Sequence, residues 1–394
     1  MKCPYLLHLP KWYPNKTDTL EGIFVRRHID CTDYACKSVI LYIRAAEIKN
    51  KAFLYESEKI NTSNSIEYKV YYKKQITGIQ ALDKVLKFIV YYLLSLRWLI
   101  TIYKEHGKPS LVMVHVLLRQ GFTAWMLKVF FNIPYLIIEH STFYLQNYFT
   151  PIENIKNKLR KFVLIHSNGL MAVSNNLLFA MSKIGLSNPN SLQVYNSVNT
   201  QIFYPKKRLK DQNYNVLHVS EFNDAHKNVL GILRAFQNML SAYPNIHLHL
   251  VGYGRDTNVI LQHIQKNGLQ NNIHYKGQLE GETLANEYRN ADVFVLFSNK
   301  ENMPCVIAES LCCGTPVIAT RVGGIPEIIN SSNGVLIDVG DEKALTKAIT
   351  QCFNSEHIFD RDVIAINALQ LFSENSVGES LLKIYTKIKP DLVK

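Results

Sequence analysis

Glu301–Glu327 reads ENMPCVIAESLCCGTPVIATRVGGIPE, and the way its acids are held decides the fold. Glu301 and Glu309 stand eight positions apart, and Val306, Ile307, Leu311 and Cys312 surround the second with apolar side chains. A carboxylate buried there is costly unless hydrogen bonds answer it. Upstream, DVFVLFS is an apolar run of strand length that ends at about Ser298, with a polar loop beyond it. Pro304 suits the first position of a helix, where its missing N–H costs nothing. The amides of Cys305 and Val306 then fall at a helix N-terminus, a ready site for a phosphate. An anion on those amides leaves Glu301 and Glu309 to accept from hydroxyls on its two sides, as a nucleotide sugar would present them. The competing assignment makes Glu301 a solvated loop acid and Glu309 a core acid bonded within the protein.

Outward from this stretch the chain alternates strand-like and helix-like segments. PYLLHL, KSVILYI, LVMVHV, PYLII and GLMAV are short apolar runs in the first half, with helical patterns near 81–105, 121–131, 153–166 and 175–185. The rhythm restarts with NVLHVS, IHLHLVG, IHYKG, DVFVLFS, PVIAT and GVLID, and with helices near 228–241, 256–267, 282–290, 304–313 and 341–353. Such alternation reads as βαβ units on parallel sheets. The polar segment NSVNTQIFYPKKRLKDQN is the expected linker. The expectation is an α/β protein of two doubly wound, Rossmann-like domains, residues 1–200 and 201–372. A last helix, within 373–394, would cross back to the first domain. Ligands are expected at the carboxyl ends of the strands.

Several motifs in order then carry a resemblance. E-x7-E followed by CCGTPVIAT and VGGIPEII closely resembles the retaining glycosyltransferases of family 4, two-domain enzymes of the GT-B fold whose domains face across a cleft. HVSEFNDAHKNVLGILRAF, LHLVGYG, VYNSVNTQIFYP, LIIEHSTF and WYPNKTDTLEGIFVRRH resemble further segments of that family. The resemblance implies transfer of a sugar from a UDP- or GDP-sugar donor. It implies that Glu309 accepts from the ribose and Glu301 from the donor sugar. Lys227, with the Cys305 and Val306 amides, would neutralise the leaving diphosphate. His140 would meet the donor sugar, and Gly22 would lie at the junction of acceptor and donor. A lysine serves without a metal, so no metal or cofactor is expected. The family's usual arginine before the lysine is replaced by Ser220-Glu221-Phe222, with Arg255 a candidate substitute, and the glycine after the first Glu is Asn302. Asp360-Arg361-Asp362 is a D-x-D in a helical region and reads as surface charge. Gly252, Gly254, Gly323 and Gly324 read first as turn glycines.

Charge and cysteine usage add the setting. The net charge is +12, and all of the excess lies early: residues 1–205 hold 25 Lys/Arg against 12 Asp/Glu, and residues 206–394 hold 19 against 20. VLKFIVYYLLSLRWLITIYKEHG, within 84–108, carries Lys87, Arg97 and Lys104 through an apolar, aromatic run. Its uninterrupted apolar core is about half of the ~20 residues that span a bilayer, so it reads either as an interfacial helix on anionic lipid or as a core helix. No basic-aromatic module for nucleic acid is recognisable. Seven scattered cysteines without zinc spacing suggest reduced thiols, and MKCPYLLHLPKWYP lacks the pattern of a signal peptide. The whole reads as a cytoplasmic transferase, peripheral on the membrane. It would extend a glycan or lipid-linked glycan in lipopolysaccharide, capsule or exopolysaccharide synthesis. The alternatives are a nucleotide-sugar epimerase or hydrolase on the same fold, and a non-catalytic glycan-binding partner.

Overall fold

The computed structural model describes residues 4–48, 52, 54–146, 148–207, 213–356 and 358–392. Cys3 and linker positions 208–212 lie outside the described residues. The chain divides into two compact units, one of Met1–Val173, Leu178–Val194 and Val377–Lys394, the other of Ser174–Leu177 and Tyr195–Ser376.

In chain order the first part holds β1 (Tyr5–Pro10), α1 (Ile23–Asp30), β2 (Lys37–Ala46), β3 (Tyr55–Asn61), β4 (Ser65–Lys73) and α2 (Gln80–His106). There follow β5 (Leu111–His115), α3 (Arg119–Phe131), β6 (Tyr135–Glu139), α4 (Pro151–Ile165), β7 (Gly169–Ala172), α5 (Asn175–Lys183) and β8 (Ser191–Gln193). The strands lie in the order β3-β4-β2-β1-β5-β6-β7-β8. All pairs are parallel except β3 with β4. The expectation of a purely parallel sheet fails at that edge for a simple reason. Only Thr62–Asn64 join β3 to β4, too little chain for a crossover, so the pair closes as a hairpin, with the Thr62 amide on the Ser65 carbonyl.

From β4 through β7 each crossover steps the same way across the sheet. Right-handed connections therefore lay α2, α3 and α4 on one face, and α1, stepping back from β1 to β2, on the other. α13 (Glu374–Ile388) joins the α1 side, where Val377, Leu381 and Tyr385 pack with Leu6, Met113 and Leu136. Gly378 is required there, since a Cβ would sit 2.3 Å from the Cys31 carbonyl oxygen. Among the described residues α2 alone is long and apolar enough to cross a membrane, though by length and composition only. It is longer than its unbroken apolar run suggests, because Arg97 and Lys104 continue the helix without breaking it.

The second part holds β9 (Tyr214–Glu221), α6 (Asp224–Lys227), α7 (Val229–Met239), β10 (Ile246–Tyr253), α8 (Thr257–Lys266), β11 (Ile273–Tyr275) and α9 (Gly281–Asn290). It continues with β12 (Val293–Leu296), α10 (Cys305–Cys312), β13 (Val317–Thr320), β14 (Gly334–Ile337), α11 (Glu342–Phe353) and α12 (Arg361–Phe372). Its six parallel strands run β11-β10-β9-β12-β13-β14, the doubly wound order in which the winding reverses between the first and fourth strands. Val229, Ile232, Leu233 and Phe236 give α7 one apolar face, buried in the core with Val216, Leu248 and Val293.

Candidate functional site

In the second unit the winding reverses between β9 and β12, and the two strands soon part there. Their ladder holds only Val216 with Val293 and Leu217 with Phe294, whereas β9 pairs with β10 from Tyr214 to Glu221. A crevice beyond the carboxyl ends of such strands is where ligands enter this architecture. The continuation of β9 carries Lys227 at the end of α6, and the loop after β12 carries Glu301. The structure brings them together: Lys227 Nζ lies 2.5 Å from Glu301 Oε1, and Ser298 Oγ donates to the same oxygen at 2.8 Å. Glu301 is 7% exposed, so the solvated-loop alternative is excluded. The Asn299 amide donates to the His226 carbonyl at 2.7 Å and ties the two loops.

Beneath the pair, His218 bridges β9 and β12. Burial, with Lys227 adding to it and the Val295 carbonyl opposing, pushes its pKa down to about 4. The neutral ring donates from Nδ1 to the Val295 carbonyl at 2.9 Å and accepts from Ser220 Oγ at 2.8 Å.

α10 starts one residue later than expected. Pro304 precedes it as the cap residue with an extended ψ of 122°, and Cys305 is the first helical residue. The difference follows from the proline's backbone, which is helical in φ but not in ψ. Helix geometry still directs the Cys305 and Val306 amides out of that end. Glu309, on the buried side of α10, accepts from the Tyr288 hydroxyl at 3.2 Å. Part of the answer to its burial is therefore a protein group on α9. Tyr288 went unnoticed in the sequence, although a buried tyrosine needs a partner for its hydroxyl.

Gly323 and Gly324 do more than turn the chain. Gly323 has φ +60°, and a Cβ there would lie 2.2 Å from the Glu301 carbonyl oxygen. The Gly324 amide donates to the Asn302 carbonyl at 2.7 Å, and Ser174 Oγ donates to Asn302 Oδ1 at 2.9 Å. The glycine turn thus braces the backbone that presents Glu301. Arg255 donates to Asn223 Oδ1 at 2.7 Å, at the start of the helix that ends in Lys227. Asp360 caps α12, accepting from the Asp362 and Val363 amides. Arg361 bonds the Ala291 and Arg289 carbonyls and Thr315 Oγ1. The D-x-D is therefore a helix start, and among the described residues no three His, Cys, Asp or Glu are grouped as metal ligands.

The first unit has its own reversal, between β1 and β5, where four buried histidines meet. His8 Nδ1 and His115 Nε2 are 3.2 Å apart. The His115 and His140 rings stack at 6.2 Å, and His28 and Phe24 lie 5.3 and 4.6 Å from His140. Burial first, then the neighbouring imidazoles, hold His140 and His115 well below the ordinary histidine value, and burial pushes His8 down to about 3. His140 is therefore neutral near pH 7.

Glu139 orders the loops around it. Its carboxylate accepts from the Leu117, His140 and Ser141 amides, each at 2.9 Å. Burial raises its pKa against the pull of those three N–H groups. The Leu117 amide belongs to a strained turn, with Val116 at φ 71° and Leu118 at φ 157°. Neither Glu139 nor the histidines beside His140 were singled out from the sequence; the only signal was polar letters at the ends of apolar strands. Gly22 precedes α1 with φ 67°, and a Cβ there would lie 2.3 Å from the Trp12 carbonyl carbon. That close approach accounts for the glycine locally.

Residues 200–369 match the family model described as "Glycosyl transferases group 1". The chain is 26% identical over 211 residues to an N-acetyl-alpha-D-glucosaminyl L-malate synthase of Bacillus anthracis. That stretch is 51% of this chain and spans about half, 54%, of the relative. Two solved structures resemble the chain over nearly its whole length. A sucrose-phosphate synthase from Thermosynechococcus elongatus has a TM-score of 0.75 at 19% identity, covering 98% of this chain and 99% of that one. Anabaena HepE in complex with UDP has a TM-score of 0.71 at 15% identity, covering 98% and 100%. At such identities the likeness speaks for the fold.

Proposed function

We propose that this chain, a group 1 glycosyltransferase of the GT-B fold, moves a sugar from a nucleotide-diphosphate-sugar donor to a glycan or lipid-linked glycan, with retention of anomeric configuration. The observation that carries the reading is the Lys227–Glu301 pair at the parting of β9 and β12. A half-buried cation beside a buried carboxylate matches a donor that brings an anionic diphosphate next to sugar hydroxyls. Lys227, assisted by the Cys305 and Val306 amides, takes the negative charge that grows on the diphosphate as the glycosidic bond breaks. Glu301 accepts from the sugar hydroxyls and Glu309 from the ribose, sharing its carboxylate with Tyr288. Arg255, held at the entrance to α6, is the candidate second cation.

His140 meets the transferring sugar as a neutral ring, and Gly22 allows the backbone a close approach to substrate. The acceptor hydroxyl attacks from the face the nucleotide leaves, and the departing diphosphate carries away the bonding electrons and takes the hydroxyl's proton. Lysine supplies the charge stabilisation without a metal. The setting proposed is synthesis of a cell-surface polysaccharide: lipopolysaccharide, capsule or exopolysaccharide.

The test is a panel of UDP- and GDP-sugars read by thermal shift, followed by NMR of the slow hydrolysis product of whichever sugar binds. One donor should stabilise the protein and release its sugar with the donor's own anomeric configuration. Stabilisation by no sugar nucleotide, or clean inversion, would overturn the reading. Glu309→Gln should weaken nucleotide binding by about tenfold, the loss of one charged hydrogen bond. Unchanged affinity would remove the ribose assignment.

A further inference from the structure

We propose that the outer face of the α2–α3–α4 layer docks the first unit onto an anionic lipid bilayer. On α2, Val85, Ile89, Leu93, Leu96 and Ile100 recur every three or four residues and are 46–62% exposed. Helical spacing sets them on one face, opposite the buried Val90, Tyr91, Leu94 and Ile102. A helix that is apolar on both sides belongs in a core or against lipid, and here only the inner side has protein to meet.

α4 repeats the pattern with Ile152, Ile155, Leu159 and Ile165, each more than half exposed. α3 adds Val129, Phe130 and Phe131, also exposed. Aromatic rings join the three helices into one surface: Tyr92 to Phe122 at 5.9 Å, Tyr103 to Phe131 at 6.1 Å and Trp125 to Phe162 at 5.1 Å. The face is about 40 Å long along α2 and about 20 Å along the shorter α3 and α4, at about 10 Å of width per helix. Exposed apolar side chains that continue across three helices mark an interaction surface, unlike the scattered ones of an ordinary monomer.

Charge selects the occupant. The three helices carry ten Lys/Arg against three Asp/Glu, with Arg97, Lys104, Lys158 and Lys161 exposed beside the apolar residues. A second copy of the chain would bring the same sign of charge, whereas anionic headgroups neutralise it. A groove of about 580 Å³ between β3 and α2 is lined by Leu54, Val90, Leu93 and Leu94, with Arg97 and with Glu56, whose charge Lys16 pairs. Apolar walls with a cation beside them suit an acyl chain below an anionic headgroup. Because its inner side is core, α2 lies along the interface and does not cross it.

Flotation with phosphatidylglycerol-containing vesicles, and with pure phosphatidylcholine vesicles as the comparison, tests this. The protein should float with the first and far less with the second, and added salt should weaken the binding. Leu93→Glu with Phe130→Glu should lower partitioning by at least about tenfold per site, with the melting temperature and sugar-nucleotide binding unchanged. Arg97→Gln, Lys158→Gln and Lys161→Gln leave the apolar face intact, and each should cost about fivefold on anionic vesicles only. Protein that stays unbound with both vesicles overturns the proposal. So does a dimer in solution that the glutamate pair dissolves, since a second copy would then cover the face. Donor chemistry and vesicle binding are read separately, so one can fail without the other.

Discussion

At the scale of single residues, the contacts that matter most are those joining a charge to one buried partner. Lys227 and Glu301 form such a pair, with side chains 20% and 8% exposed. Removing one member strands the other, so Lys227→Met should destabilise the protein by about 2–3 kcal/mol, toward the low end for a broken buried pair because the lysine keeps some water. Adding Glu301→Gln should recover part of that loss, because the amide no longer buries an unmatched charge. Urea unfolding of the two variants measures both, and a double variant no more stable than the single would deny that the pair is coupled. The roles expected of Glu301 and Lys227 rest on residue types at motif positions in the sequence. Their mutual contact was not, since it joins two loops 74 positions apart. Tyr288 and His218 escaped for the same reason, since Glu309 and the Val295 carbonyl come near only in the fold.

At the scale of elements, the strands and most helices of the second half and most elements of the first were legible from apolar periodicity; the short α1, β8 and α6 were not. β3 and β4 were not, because β3 is YESEKIN, largely exposed at the sheet edge and free of the apolar alternation that marks a buried strand. α12 was also passed over as a distinct helix, its apolar residues being distributed without one clear face. α13 offers the sharpest test of an element's weight. Leu381 is fully buried against the first unit's core, so Leu381→Ala should cost about 3 kcal/mol. Gly378→Ala should also destabilise, since its Cβ would press on the Cys31 carbonyl. Thermal melts of both variants check this, and wild-type stability in either would mean α13 is dispensable to that core.

For the whole molecule, stability should depend on pH through its buried histidines. His8, His115, His140 and His218 have folded pKa values below the ordinary one, so below about pH 6.5 the unfolded chain binds protons that the folded chain refuses. Their stabilisation is complete above that pH and is lost as the pH falls toward the folded values, by up to about 1.4 kcal/mol per pH unit for each ring. Glu139, raised by burial, works the other way. Its contribution is present at low pH and fades as the pH rises through its folded value, so it offsets one histidine at most. The melting temperature should therefore drop from pH 7.5 to 5.5, and His8→Gln should flatten the slope. A pH-independent melt would show that the rings are wetter than their packing implies. In the proposed turnover cycle the Lys227–Glu301 contact re-forms after transfer. On the proposed roles, Glu301 has no hydroxyls to accept from once the sugar has left and would compete with the spent nucleotide for the same ammonium. The pair then acts as an ejector: Glu301→Gln should bind donor more loosely yet hold the nucleoside diphosphate longer, shifting the slow step from bond breaking to product release.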